Sequence, residues 1–521
     1  MLHGLLAHQP SSEPTNHPTS PMPRKPSPTA ILAVVAFGVF VAADDLTVVS
    51  TMLRQIVFDL GIPLPDGLDQ AAWIVNVYLI AYVVVMPFVG RLSDLIGRRA
   101  VYVGALALFL AGSIWVPLAG SFNSFLAGRV LTAVGGGAMV PVGMAVLGDV
   151  YPRDKRATAL GALGAIDTAG WVWGPLYGAL LIRFLSWRWQ FYLNIPLALI
   201  GIAAAWWALA DLPRPARQER IDWWGTIALS LSLLALNIAL LNSGDVQSAG
   251  GFASLNGGQP AVSWPYYLAA LVSFAIFLLV ESRSAYPLIP LSLFRRRNFG
   301  TAVFINFLTG SVLIIAMVNV PLIVNVLAVE VAEAALISGG LLGGMTLAMA
   351  IFSYVGGRLT ERWSYRLVTL PGLALCALGF YWMGNWQATA VGDHTPYAQM
   401  AWQLVVLGVG FGLVIAPVGT AVINAAPDDQ RGVASSLVIV MRLIGMSVGL
   451  SGLTAWGLRR FDVLRTQITL PDLPLTDPAY QQAIVDGLTH ITVAVLAETF
   501  LISTLLAALA WLIALALKPD E

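Results

Sequence analysis

Charge is scarce in this chain. Of 521 residues only 11% are Asp, Glu, Lys or Arg, against about 25% in a soluble domain. That deficit excludes an ordinary water-soluble protein. Cysteine is scarcer still: Cys376 stands alone, so no intrachain disulfide can form. Ten-residue segments of alternating polarity are missing, which excludes a membrane β-barrel. No Walker loop, no HExxH pair and no GxSxG elbow occurs, so neither ATP-driven pumping by this chain nor familiar hydrolytic chemistry is expected. No catalytic residues, no metal site and no nucleic-acid partner are expected either.

Long apolar runs fill the space that charge leaves. Hydrophobic residues make up 58% of the chain and mean hydropathy is +0.78. Runs of about 20 apolar residues, each long enough for about 30 Å of hydrocarbon, recur from 30–52 to 489–517. Reading them between breakers predicts fourteen transmembrane helices and an all-α integral membrane protein. An even count puts both termini on one side. Of the 28 basic residues, only Arg54, Arg183, Arg188, Arg459, Arg460 and Arg465 fall on loops of the opposite side, and only Arg129 and Arg442 inside spans. The positive-inside rule makes the termini cytoplasmic. Residues 1–28, rich in Pro and Ser, read as a disordered tail.

The chain repeats itself. GRLSDLIGRR (90–99) follows the second span and GRLTERWSYR (357–366) the tenth. The offset divides the chain into a first six-helix half (29–212), two extra helices (213–284) and a second six-helix half (285–521). Duplicated halves are a common transporter design, with the binding site between them near the midplane.

The first copy, Gly90 to Arg99, resembles the helix 2–3 signature of the major facilitator superfamily. That resemblance assigns Gly90, Asp94, Gly97, Arg98 and Arg99 to a cytoplasmic gate, with Asp94 latching to a neighbouring helix. The second copy departs from the pattern at Glu361 and Ser364 and is expected to latch more weakly. GRVLTAVGGGAM (128–139) resembles the family's helix-4 motif, with Arg129 as its buried base. GWVWGPLYGA (170–179) resembles its helix-5 antiporter motif: Gly170, Gly174 and Gly178, at i, i+4 and i+8, form a flat strip for close helix packing, and Pro175 bends the helix. Asp45-Leu46-Thr47-Val48-Val49, WRWQFYLNIP (187–196), IDWWG (221–225) and PLIPLSLF (287–294) resemble the fourteen-span drug:proton antiporter branch. TMLRQIVFDLGIP (51–63) and the GPLYG of helix 5 are most similar to the mycobacterial triacylglyceride and lipid exporter group. The resemblance runs from about residue 30 to the C-terminus.

It implies a proton-coupled exporter working by alternating access in a bacterial inner membrane. The proton gradient replaces any cofactor, the cargo is a hydrophobic small molecule or a lipid, and a monomer is expected. An importer of a small solute, or a membrane receptor or enzyme, are the rival readings. Charges inside spans cost a few kcal/mol each, so Asp44, Asp45, Asp167 and Arg442 are the candidate coupling residues. Adjacent residues point about 100° apart on a helix, so Asp44 and Asp45 cannot share one job. Spacing from Thr47, Thr51 and Arg54 favours Asp44. The family pattern favours Asp45, which is preferred here, paired with Arg442 across the halves. Asp167, two turns before Gly174, is the second candidate partner for Arg442. Asp149 reads as a cytoplasmic end-cap, Glu281 as a headgroup-solvated charge, Glu498 as a possible pathway acid and Arg295-Arg296-Arg297 as a contact for anionic lipid heads. A long helix reaching LRRFDVLRTQ (458–467) beyond the outer surface would suit a lipid cargo.

Overall fold

The computed structural model describes residues 26–62, 68–212, 221–243, 264–327, 331–386, 395–466 and 477–518; most of the predicted tail, the loop 244–263 and Glu330 lie outside them. Fifteen α-helices are described: α1 (Pro28–Asp59), α2 (Leu68–Ile96), α3 (Arg98–Trp115), α4 (Phe122–Val150), α5 (Arg153–Phe184), α6 (Arg188–Ala208), α7 (Trp223–Ser243), α8 (Trp264–Arg283), the single turn α9 (Ser292–Arg295), α10 (Arg297–Leu327), α11 (Val331–Arg362), α12 (Tyr365–Met383), α13 (Thr395–Ala425), α14 (Arg431–Arg465) and α15 (Pro478–Ala514). In hydrocarbon each backbone polar group must be satisfied within its own segment, which leaves a helix as the available form for these runs. Thirteen of the long helices are apolar enough to cross a membrane on length and composition. The fourteenth is α5, whose span is diluted by its glycines and Asp167.

The helix starts show how the two repeat copies diverge. Gly97 begins α3 at φ 99°, a conformation that favours glycine. Its counterpart Ser364 takes an ordinary extended conformation and accepts a hydrogen bond from Leu367 N at 3.3 Å, capping α12. The replacement changes the cap and keeps the helix start.

Packing repeats between α1–α6 and α10–α15. The pairs α1·α5, α2·α4, α3·α4 and α3·α6 of the first half recur as α10·α14, α11·α13, α12·α13 and α12·α15 in the second. The contacts between halves are mutual counterparts too: α2 meets α14 as α11 meets α5, and α4 meets α14 as α13 meets α5. Helix α7 lies against α2 and α14, one from each half, and α8 packs on α7. Ser232 Oγ donates to Ala270 O at 3.0 Å between α7 and α8, and Ser451 Oγ of α14 donates to Leu240 O at 3.0 Å.

The halves join at one face only. There a single apolar core takes in both, with Val89, Leu147 and Leu163 beside Phe299, Val418 and Val433. Toward the other face the core forks. One branch holds Val48, Met52, Trp187 and Phe191 of the first half; the other holds Val312, Met345, Phe380 and Phe500 of the second. The halves have separate cores on that side, which we read as the place of a cleft between them. Glycines make the joined face tight: a Cβ at Gly161 would stand 2.5 Å from Ser353 O, and one at Gly357 would run into Ala157 O. Gly161→Val is accordingly expected to hold this face open. A cysteine placed at Ala157, 2% exposed, should then react with a thiol reagent severalfold faster than in the Gly161 parent. The background is low because Cys376 is buried; an unchanged rate would show that the face tolerates the extra bulk.

Helices α14 and α15, at 35 and 37 residues, run about 50 Å at 1.5 Å per residue and outreach about 30 Å of hydrocarbon. Because α14 begins at the joined face, its excess length lies beyond the cleft side. Arg460 clips it to α15 through both oxygens of Glu498, at 2.9 and 3.0 Å. Glu498, a candidate pathway acid by sequence, is thus committed to this outer clip.

Candidate functional site: a buried charge network between two halves

The acids of α1 face inward, within their own half. Asp45 is fully buried. Its Oδ2 accepts from Arg129 Nη1 at 2.8 Å and its Oδ1 from Asn194 Nδ2 at 3.2 Å. Arg129, 1% exposed, also lies over the Tyr78 ring at 4.2 Å. Asp45 thus pairs with Arg129 and not with Arg442. The expectation failed because register decides direction: Asp45 points into the α4–α6 side of its half, where the helix-4 base needs a counter-charge. Asp44, a step round the helix, accepts from Gln190 Nε2 at 2.9 Å. Its other oxygen is buried without a donor. The side chain of Arg54, used in the spacing argument, lies outside the described residues.

Arg442 takes its acid from the other half, and that acid is Asp167. Each is the other's electrostatic partner across the interface, beyond direct ion-pair contact. Arg442 Nε donates to Asn306 Oδ1 at 3.2 Å, and Asn306 Nδ2 donates to Val438 O, fixing the guanidinium against α10. Both charged side chains keep partial exposure. They stand where the core forks, one turn past Gly164, whose Cβ position lies 2.9 Å from Ser353 Oγ. Tyr82 is a neighbour of Asp167, and it stacks on Tyr78 at 5.8 Å between centroids. Two tyrosines of α2 thus link the Asp45–Arg129 pair to the Asp167–Arg442 pair.

The joined face carries a second network. Asp94 accepts from the backbone of Gly432 and Val433, at 2.9 and 3.1 Å, at the start of α14. A carboxylate at a helix N-terminus meets unpaired N–H groups and the positive end of the dipole. Arg98 holds Asp94 at 2.5 Å and Asp149 at 3.0 Å, and Asp149 reaches Arg431 of the other half at 2.9 Å. Asp149 is therefore a bridge between halves; the sequence reading as an end-cap missed it because its partner is 282 residues away. Gly90 lets the helices meet: a Cβ there would be 2.7 Å from Ser436 Oγ. Arg99 stands apart from the latch, donating to Trp206 O at 2.7 Å and lying 4.1 Å above its ring. In the second copy, Glu361 accepts from Thr158 N of α5 at 3.1 Å. That is the same device with one backbone bond instead of two.

The helix-5 glycines pack on α1. A Cβ on Gly170 would meet Ala43 at 2.7 Å, one on Gly174 would meet Asp44 O at 3.0 Å, and one on Gly178 would crowd Thr51. Pro175 stands in the same helix, its side chain outside the described residues. Sequence reading missed the matching strip in α14, where Gly445 and Gly449 press on the backbone of Phe307 and Ser311 in α10; their i, i+4 spacing was the available signal. Glu281 was also misread. It is 4% exposed and accepts from Ile289 N at 2.6 Å, because the chain after α8 folds back over it. Among the described residues no three His, Cys, Asp or Glu converge as a metal site.

A latch on one face, a cleft on the other and a charged pair at the junction agree with the comparisons. The Major Facilitator Superfamily profile matches residues 35–450. A triacylglyceride transporter of Mycolicibacterium hassiacum is 32% identical over 472 residues, covering 88% of this chain and 85% of that protein. One of Mycobacterium tuberculosis is 33% identical over 468 residues, covering 86% and 88%. Among solved structures, the proton:xylose symporter XylE superposes with a TM-score of 0.58 at 14% identity, over 93% of this chain and 94% of that one, a likeness of fold. The chain belongs to the Major Facilitator Superfamily, as a multi-pass membrane transporter related along most of its length to mycobacterial proteins named as triacylglyceride transporters.

Proposed function

We propose that this transporter is a proton-coupled exporter of hydrophobic or amphipathic compounds, a lipid such as a triacylglyceride first among them. One observation carries the coupling: Asp167 of one half faces Arg442 of the other at the base of the cleft. A cross-half pair is sensitive to conformation in a way that Asp45–Arg129, confined to one half, is not. The preferred coupling acid moves accordingly from Asp45 to Asp167. With the latch face cytoplasmic, as the basic loops favour, the cleft opens outward. A proton taken up at Asp167 removes one charge of the pair, and the inward-open state gains population. Proton release inside, as cargo enters, restores the pair and returns the cleft outward. Asp44 lies beside Asp45 with Gln190 and, among the described side chains, no guanidinium as its partner, so its donorless oxygen offers a place for a second proton. The bacterial inner membrane, with both termini cytoplasmic, fits this orientation.

The names of the relatives support a lipid cargo, and so does the length of the α14–α15 pair, whose outer part exposes Leu458, Val463 and Val485 among its charges. The test is energised uptake into inside-out vesicles of a labelled triacylglyceride and of a fluorescent cationic dye. Uptake of the lipid that collapses with a protonophore is the expected result. Uptake of the dye alone would move the cargo to drugs, and movement of neither would return the importer reading.

A further inference from the structure

On the latch face, away from the Asp94 network, lies a cavity of about 520 Å³. Among the described residues its charged lining has one sign: Arg153, Arg295, Arg296, Arg297 and Lys518. Both halves build it, since Arg153 opens α5 and the others belong to the second half. Arg296 is engaged, donating to Ala425 O at 2.7 Å. Asn298 is engaged too, its Oδ1 accepting from Lys518 N at 2.9 Å and tying the end of the last helix to the start of α10. Arg153, Arg295 and Arg297 are exposed, with no ion pair to a carboxylate among the described residues. Just behind them Arg156, outside the spans, is pushed down to about 10, by burial first and then by the positive charge of Arg431 and Arg153, against the opposing carboxylates of Asp149 and Asp428. At Arg156 the positive charge outweighs these two carboxylates within reach.

Isolated surface arginines signify little. Several converging on one concave site focus their field, and guanidinium forks match phosphate oxygens in geometry. The cavity also sits where α10 begins and α15 has ended, at the level of lipid headgroups. We propose that this cavity binds a phosphate-bearing anion, an anionic lipid headgroup or free phosphate, that bridges Arg153 of the first half to Arg295 and Arg297 of the second and holds this face closed. The inference rests on the fold and not on proton coupling. The site is complete only when the halves meet, so the anion favours the closed face and closure favours the anion, by the same factor.

The test uses the full chain in nanodiscs, spin-labelled at Ile96 and Trp363, exposed residues of opposite halves on this face. Distances are compared in phosphatidylcholine alone, in phosphatidylcholine with phosphatidylglycerol, and in phosphatidylcholine with inorganic phosphate. Phosphatidylglycerol is expected to raise the closed-to-open ratio by about fivefold or more, the lower end of usual coupling between sites, and salt should weaken the effect. The same shift with inorganic phosphate alone would support the site and make a soluble anion its occupant. Arg153→Gln/Arg295→Gln/Arg297→Gln should lose the response while keeping its distances in phosphatidylcholine. Arg283→Gln, an exposed charge outside the cavity and outside both latch motifs, should keep it. A cavity variant that responds like the parent, or a control variant that loses the response equally, overturns the proposal.

Discussion

Asp167→Asn is expected to abolish uphill, proton-driven accumulation of cargo while sparing exchange of labelled for unlabelled cargo at equal concentration. Exchange needs only that the two states interconvert. Accumulation needs the equilibrium between them to depend on a proton. Removing one partner of a fully buried ion pair costs about 3–5 kcal/mol. Asp167 and Arg442 keep partial exposure and no direct contact, so a smaller figure applies, about 1–2 kcal/mol after screening. That is roughly a tenfold change in the ratio of states, enough to uncouple a cycle without stopping it. Arg442→Gln should behave alike, since an arginine cannot release its proton here. The measurement is paired uptake and exchange in proteoliposomes under an imposed pH gradient. Parental accumulation in Asp167→Asn would remove Asp167 from the coupling path and return the role to Asp44 or Asp45. Loss of both activities would point to misfolding, which Asp167→Glu is designed to separate by restoring accumulation.

Arg129→Gln carries the largest expected cost in stability. It leaves Asp45, fully buried, with only the uncharged donors Asn194, at 3.2 Å, and Tyr78 among the described side chains. Stranding a buried charge in this way costs about 3–5 kcal/mol, so a markedly lower unfolding temperature in detergent is expected. Asp45→Asn/Arg129→Gln should recover most of that loss, because removing both charges removes the stranded one. The interaction energy of the pair is the departure from additivity across the four proteins. If the double variant is as unstable as the sum of the singles, Asp45–Arg129 is not a coupled pair. Thermal unfolding followed by reactivity of Cys376, 1% exposed in the native state, gives the readout.

These two pairs divide the labour that sequence reading assigned to one. An arginine in each half, Arg129 and Arg442, needs an acid. Two acids lie within reach of sequence motifs, Asp45 and Asp167, and periodicity cannot say which arginine takes which. The packing settles it: Asp45 lies on the side of α1 that meets α4 and α6, whereas Asp167 lies on the side of α5 that borders the cleft. The glycine strip of α5 serves the same end, since Gly170, Gly174 and Gly178 hold α1 close and so set the direction in which both acids point.

The sequence by itself determined that the chain crosses a membrane many times, that its two halves repeat, which runs become helices though not how far they extend, and that Asp94 and the helix-5 glycines stand at contacts. These are local properties. Hydropathy, the period of a helix and the turn-forming power of glycine act within a few residues, and each leaves its mark in the order of the chain. Partnerships belong to the tertiary structure: Asp45 with Arg129, Asp167 facing Arg442, Asp149 with Arg431, Glu361 with the start of α5, and Glu281 under the strand of chain that follows α8. Each joins residues whose distance in sequence says nothing of their distance in space. A buried charge announces that it needs a partner, but the direction of its side chain, which chooses that partner, is set by how whole helices rotate and pack against one another.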